Sequence, residues 1–279
     1  MRRRVLRTIS VGVALSAFAA AGASGSAGPG PPVIQGWDGV RAGAVRYVTV
    51  PAGGQTAIEA IRVRDGRVVR YGEVRGTWGV PQVAYDGTTG GLSRDGRTLV
   101  LGQIPGGVQL RASSSFALVA VKQFRLIGVV RLKGDFSFDA LSPDGARLYL
   151  IQHLSANDVT RYQVRAYDLE TRRLLPGVVA AKGETDMRGL PLARVASRDG
   201  VWAYTLYGGM PREAFVHALN TARAQAFCID LPWRGTATNV SKLRLVVNGT
   251  RLVIRRPGYR AAAVVDRGTF RVLSSVREP

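Results

Sequence analysis

Three observations predict an all-β chain built from repeated four-stranded units. A short turn sentence is written four times, as "LSRDGRTLVLG" (92–102), "LSPDGARLYLI" (141–151), "ASRDGVWAYTL" (196–206) and "LVVNGTRLVIR" (245–255). A strand–turn–strand pattern follows each copy. The turn glycines Gly96, Gly145, Gly200 and Gly249 stand 49, 55 and 49 residues apart. Four antiparallel strands in roughly 50 residues is the period of a β-propeller blade.

Each element follows from local chemistry. Asp-Gly and Asn-Gly mark tight turns, because glycine and, less readily, asparagine accept positive φ. The segments after the turns, "TLVL" (98–101), "LYLI" (148–151) and "LVI" (252–254), are apolar or β-branched and lack a 3.6-residue stripe. They read as buried strands. Outer hairpins are expected at 57–74, 116–132, 162–179, 214–231 and 261–276, with Thr171, Thr221 and Thr269 at one shared place in three of them. Five hairpins between 33 and 276 give about 49 residues per blade, whereas seven blades would leave about 35, too few for these loops. Five blades are therefore predicted, with an open or incomplete propeller as the alternative. In the first blade, Trp37-Asp38-Gly39 reads as a degraded turn and "VRYVTV" (45–50) as the strand after it.

The stretch "SPDGARLYL…YQVRAYDLETRRL" resembles the repeat of YVTN-type and TolB-type propellers, in which a Ser-Pro-Asp-Gly turn joins the first two strands of a blade and an outer hairpin carries an Asp and a Thr. The copies at 88–132 and 192–231 are similar, that at 240–276 keeps Asn-Gly and Asp266, and the unit at 33–76 is the most divergent. The resemblance runs through one repeat motif. It implies a fold and brings no catalytic residues with it.

Residues 1–27 stand apart. A basic start, "MRRRVLR", precedes a run of small, mildly apolar residues and a small-x-small site at Ala21-Gly22-Ala23, with Ala27 as a second choice. This is the pattern of a secretory signal peptide rather than of a membrane span, which needs about 20 strongly apolar residues. Arg2-Arg3-Arg4-Val5-Leu6 also fits a twin-arginine signal. Residues 28–32, "GPGPP", read as a stiff linker, and 33–279 as one propeller domain. A secreted or extracytoplasmic protein with no transmembrane segment after signal removal is the expectation. The one cysteine, Cys228, lies in the apolar strand "AFCIDL" and reads as a small core residue.

Composition narrows the partners. Hydrophobic residues make up 46% and charged residues 21%, as in a folded chain, and the 34 glycines suit many turns. Bases outnumber acids 39 to 19. Loss of the leader's four arginines lowers the +20 net charge to about +16. The bases are spread rather than clustered, so no specific nucleic-acid partner is expected. A protein or an anionic cell-envelope polymer fits better, and the chain is expected to be a monomer.

Propellers bind on their faces or in the central channel. Segments leading into inner strands, and loops between second and third strands, should share one face. The unusual chemistry there is Trp78, Tyr85, Asp86, Asp135, Asp139, His153, Asp158, Asp186, Arg188, Tyr207, Trp233, Arg234 and Tyr259. Aromatics beside Arg and Asp suit a binding face. No zincin, paired-cysteine, phosphate-loop or nucleophile-elbow motif occurs in the mature chain. His217, in "FVHAL", reads as a satisfied strand histidine. No cofactor is called for, although a divalent cation on Asp135, Asp139 and Asp186 is conceivable, since these are read as preceding inner strands and hard cations take such ligands. A non-catalytic binding or scaffold propeller is thus the first expectation. The alternative is a metal-dependent hydrolase of the propeller-lactonase kind, whose Glu and Asn ligand pattern has no counterpart here.

Overall fold

A computed structural model describes residues 39–104, 110–158, 160–185, 187–210, 213–236, 239–256, 258, 260–277 and 279. The expected leader and linker lie outside them, as do Trp37 and Asp38. The described chain forms five antiparallel sheets whose strands lie in sequence order. Blade one is β1 (Val40–Ala42), β2 (Val45–Ala52), β3 (Gln55–Arg62) and β4 (Val68–Arg75). Blade two is β5 (Trp78–Gly79), β6 (Thr98–Gln103), β7 (Ser113–Ala120) and β8 (Arg125–Lys133). Blade three is β9 (Phe136–Leu141), β10 (Arg147–His153), β11 (Arg161–Asp168) and an outer edge split into β12 (Arg173–Leu174) and β13 (Met187–Arg188), both paired with β11. Blade four is β14 (Leu190–Ala196), β15 (Trp202–Gly208), β16 (Glu213–Asn220) and β17 (Gln225–Arg234); blade five is β18 (Arg244–Asn248), β19 (Arg251–Arg255), β20 (Ala261–Asp266) and β21 (Val272–Ser275). No helix among the described residues is long and apolar enough to cross a membrane.

The repeated sentence is a hydrogen-bonded corner between the first two strands of blades two, three and four. In blade three the Ser142 hydroxyl donates to Asp144 Oδ1 (2.5 Å) and accepts from Arg147 N–H (2.8 Å), while Ala146 N–H donates to the same carboxylate (3.0 Å). Ser93 with Asp95 and Ser197 with Asp199 repeat these bonds. The hydroxyl and the neighbouring amide hold each carboxyl below its ordinary pKa. The end blades differ. Their first turns are two-residue hairpins, with Ala42 opposite Val45 and Asn248 opposite Arg251. The corner of blade one is therefore Gly43-Ala44 and not Trp37-Asp38-Gly39. Blade five has Val246 where the serine stands, so its copy of the sentence closes more tightly.

Four outer hairpins share a second device. Phe124, Arg172, Ala224 and Phe270 all have φ between 48° and 58°, each immediately before its returning strand or, for Phe270, one residue earlier. In blades three and five the Asp of the hairpin accepts the N–H and hydroxyl of the Thr three residues on: Asp168 with Thr171, and Asp266 with Thr269. In blade four Asn220 takes the Asp place and Arg223, not Thr221, stands three residues on. The Thr221 hydroxyl instead donates to Gly200 O (2.7 Å), tying hairpin to corner.

The core lies between blades. Separate apolar clusters join blades one and two, two and three, three and four, and four and five. Leu99, Leu101 and Leu148 to Leu150 are fully enclosed in these layers. Each such side chain contributes about 1.5–3 kcal/mol by leaving water. Among the described residues no core cluster, hydrogen bond or ion pair joins blade one to blade five.

Candidate functional site

The inner edge of blade two decides the shape of the channel. Beyond β5 its pairing survives only as two bridges, Gln82 with Thr89 and Leu92 with Leu99. The residues between Gln82 and Thr89 loop across to blade four. Tyr85 N–H donates to Pro191 O (2.8 Å), the Thr88 hydroxyl to Arg194 O (3.4 Å), and Asp86 Oδ2 accepts from Arg194 N–H (3.3 Å). Asp86 Oδ1 also accepts Thr88 N–H (3.0 Å), the local turn that short acidic side chains favour. Gly91 lets the chain re-enter the sheet: its φ is +98°, and a Cβ there would lie 2.3 Å from Val100 O. The segment is a plug, and it has different chemistry on its two sides.

One side is a narrow cavity of about 20 Å³, room for about one water molecule. His153, Tyr162, Tyr207, Ser137 and Asp139 line it. His153 Nε2 lies 3.1 Å from Ser137 Oγ, while His153 Nδ1 and the Tyr162 hydroxyl have no partner among the described residues. Tyr207 stacks between Tyr162 and Phe215, with centroids 5.3 and 5.2 Å away. Burial lowers the His153 pKa to about 4, against the opposing pull of Asp135 and with the help of Arg111. Burial likewise pushes both phenols above their ordinary range.

The other side is an open depression of about 370 Å³, walled by blades one to four. It opens among the repeated corners. Arg41, Arg94 and Arg198 line it and are exposed, with serine hydroxyls from the corners between them. Among the described residues its lining has a single acid, Asp139, whose carboxylate is ion-paired with Arg194. Arg94 and Arg198 occupy the second position of "SRDG" in blades two and four, where blade three has Pro143. Arginines therefore outnumber acids in the lining of the depression.

A third hollow, about 470 Å³, lies at the outer edge between blades three and four, lined by Glu184, Glu213, Asp230, Arg188 and Cys228 among others. Cys228 is half-buried rather than a sealed core residue. Its thiol donates to Glu184 Oε2 (3.2 Å), and burial first, then that carboxylate, raises its pKa.

The residues singled out in the sequence do not converge on one pocket. Asp139, His153 and Tyr207 meet at the narrow cavity, with Tyr85 and Asp86 in the plug beside it. Asp139 lies inside inner strand β9 and does not precede it. Asp135 is buried and bonded to Arg111 (Nε to Oδ1, 2.8 Å). Both of these candidate cation ligands thus carry arginine counter-ions, and no group of three or more His, Cys, Asp or Glu among the described residues could hold a metal. Trp78 and Trp233 join blades: Trp78 N–H donates to the Thr56 hydroxyl (2.9 Å), and Trp233 Nε1–H to Val276 O (2.9 Å). Arg188 pairs with Asp158 (3.3 Å), and Arg234 ends β17 opposite Glu213. His217 is enclosed on β16, but its Nε2 has no partner among the described residues. Asp186 and Tyr259 lie outside the described residues. Arg41, Arg94 and Arg198 are absent from the sequence-based candidates. The signal that could have found the latter two is the variable position inside a motif that otherwise repeats.

No protein-family model matches the chain, and no curated protein does. Solved structures are similar at low identity. TolB from Acinetobacter baumannii is 10% identical over 80% of this chain and 49% of its own, with a TM-score of 0.43. The dihydro-heme d1 dehydrogenase NirN is 12% identical over 84% and 44%, with a TM-score of 0.49. The β-propeller domain of Cps50 (Swd1) from Myceliophteria thermophila is 10% identical over 85% and 84%, with a TM-score of 0.47. The chain spans about half the length of the TolB and NirN structures. Similarity this distant leaves function to the residues of this chain, whose five four-stranded sheets are themselves the propeller architecture.

Proposed function

We propose that this is an exported, non-catalytic binding propeller that takes an anionic partner, an acidic protein segment or an envelope polymer, in the depression among its repeated corners. The observation that supports it is the excess of arginines, Arg41, Arg94 and Arg198, around a cavity in which the one acid among the described residues, Asp139, is already paired. Guanidinium forks match carboxylate and phosphate geometry. Export rests on the character of residues 1–27. The hydrolase alternative has less support, because Asp135 and Asp139 are bonded to arginines.

Titration calorimetry with inorganic polyphosphate and with poly-glutamate, at low and high salt, tests the reading. Binding should weaken with salt, since exposed charges are screened. Arg94→Glu/Arg198→Glu should weaken it about tenfold or more. A double variant that folds and binds both probes as tightly as the parent would sink the reading.

A further inference from the structure

Six Asp-Gly or Asn-Gly steps lie wholly within the described residues: Asp65-Gly66, Asp86-Gly87, Asp95-Gly96, Asp144-Gly145, Asp199-Gly200 and Asn248-Gly249. Such steps share one chemistry. Glycine has no side chain to shield its nitrogen, so that nitrogen can close a five-membered ring on the preceding side-chain carbonyl. The reaction asks two things of the fold: a side chain free to swing, and an amide nitrogen not engaged in a hydrogen bond.

Five of the six steps are tied at both points. Gly66 N–H donates to Arg62 O (2.9 Å) and Gly87 N–H to Ala84 O (3.2 Å), while Gly96, Gly145 and Gly200 donate to the carbonyls of Ser93, Ser142 and Ser197 (2.9 Å each). The carboxylates before them accept the backbone N–H groups of Arg67, Thr88, Arg97, Ala146 and Val201. Asn248 differs. It ends β18 at a two-residue hairpin, opposite Arg251. Among the described residues neither its side chain nor the Gly249 N–H makes a hydrogen bond. Both residues are exposed, and a Cβ on Gly249 would meet nothing within 4 Å. The tip is held by its carbonyls instead: Arg267 donates from Nη1 to Gly249 O (2.6 Å) and from its N–H to Thr250 O (2.8 Å). An ionised carboxylate is also a poor electrophile, so the amide of Asn248 is both the freer group and the more reactive one.

We propose that Asn248 is a site of spontaneous covalent modification, the one step of the six that the folded chain leaves open to it. The Gly249 nitrogen attacks Asn248 Cγ and gives its proton to hydroxide. The Cγ–Nδ2 bond breaks, ammonia leaves, and a succinimide forms. Water then opens the ring at one of its two carbonyls. Attack at Cγ yields aspartate. Attack at the main-chain carbonyl yields isoaspartate, whose backbone is one carbon longer. Aspartate gives blade five the Asp-Gly of the other corners. Isoaspartate lengthens a loop of only two residues and should unpair position 248 from Arg251. The site lies outside the lining of the basic depression and is independent of it.

The test is peptide mapping of the folded full chain after incubation at mildly alkaline pH, beside a sample held unfolded in urea. In the folded chain the peptide carrying Asn248 should lose ammonia and take up oxygen from isotopically labelled water, faster as pH rises. Isoaspartate should form there about tenfold or more faster than at Asp95, Asp144 or Asp199, because the bonds at those steps must open first. Unfolding should narrow that gap, since it frees every step. Asn248→Gln should abolish the signal. Asn220, whose Oδ1 accepts Ala222 and Arg223 N–H, should stay intact in the folded chain. An Asn248 that stays intact in the folded chain overturns the inference. So does a gap of the same size in folded and unfolded samples, which would make the selectivity one of sequence alone.

Discussion

His153 and His217 are both enclosed, and burial holds each imidazole near pKa 4 against 6.5 in an open chain. Between these values the unfolded chain binds protons that the fold refuses, so stability rises with pH through this window. The contribution is complete above pH 6.5 and is lost as pH falls toward 4. A pKa lowered by one corresponds to about 1.4 kcal/mol, so the two residues together should cost the fold several kcal/mol by the bottom of the window. Asp135 and Arg111 act on His153, and Asp139 and Arg194 on His217, with opposite signs in each pair. The urea midpoint should therefore fall between pH 7 and pH 5, and His153→Gln/His217→Gln should flatten that fall. The corner carboxylates act lower. Their pKa values lie below 3.8, so their contribution is lost only beneath that value. A parent protein with the same midpoint at both pH values would contradict the neutral, buried state of the histidines.

At the scale of the element, the corner was legible because its chemistry is local. Ser142, Asp144 and Gly145 make their bonds within six residues, and the same residue types at 93–96 and 197–200 make the same bonds. Removing the buried hydroxyl leaves Arg147 N–H without its acceptor. Ser142→Ala should cost about 1–2 kcal/mol in chemical unfolding. Ser93→Ala and Ser197→Ala should cost about the same, since their bonds differ by only about 0.1 Å. Costs that differed several-fold among the three would show that the repeat is one of sequence and not of energy. The plug was not legible, for the opposite reason. "TWGVPQVAYDG" reads as a segment leading into an inner strand, and nothing local in it announces the bonds to Pro191 and Arg194, over a hundred residues away, that carry it across to blade four. Tyr207 and Trp233 read as loop residues in the sequence, yet β15 and β17 run further than their local patterns suggest.

At the scale of the molecule, the repeat gathers what the sequence scatters. Arg41, Arg94 and Arg198 are far apart in the chain and meet because blades place equivalent corners around one axis. Spread bases argue against a patch when counted along the sequence, yet a repeat fold converts even spacing into a cluster. The same serial construction governs how the molecule should unfold. Each blade packs on its neighbours, and among the described residues the apolar clusters give blades one and five a neighbour on one side only. Stability in such an array is a sum of nearest-neighbour terms, so the ends should open before the centre. In dilute protein, amides of β3 and β20 should exchange faster than those of β10 and β15. The central strands lie under fully enclosed side chains such as Tyr149 and Leu206, whereas among the described residues Val50 and Tyr71 of blade one are more than half exposed. Equal protection in all five blades would mean that the first and last blades are joined in solution, and that the molecule opens as a ring and not as a row.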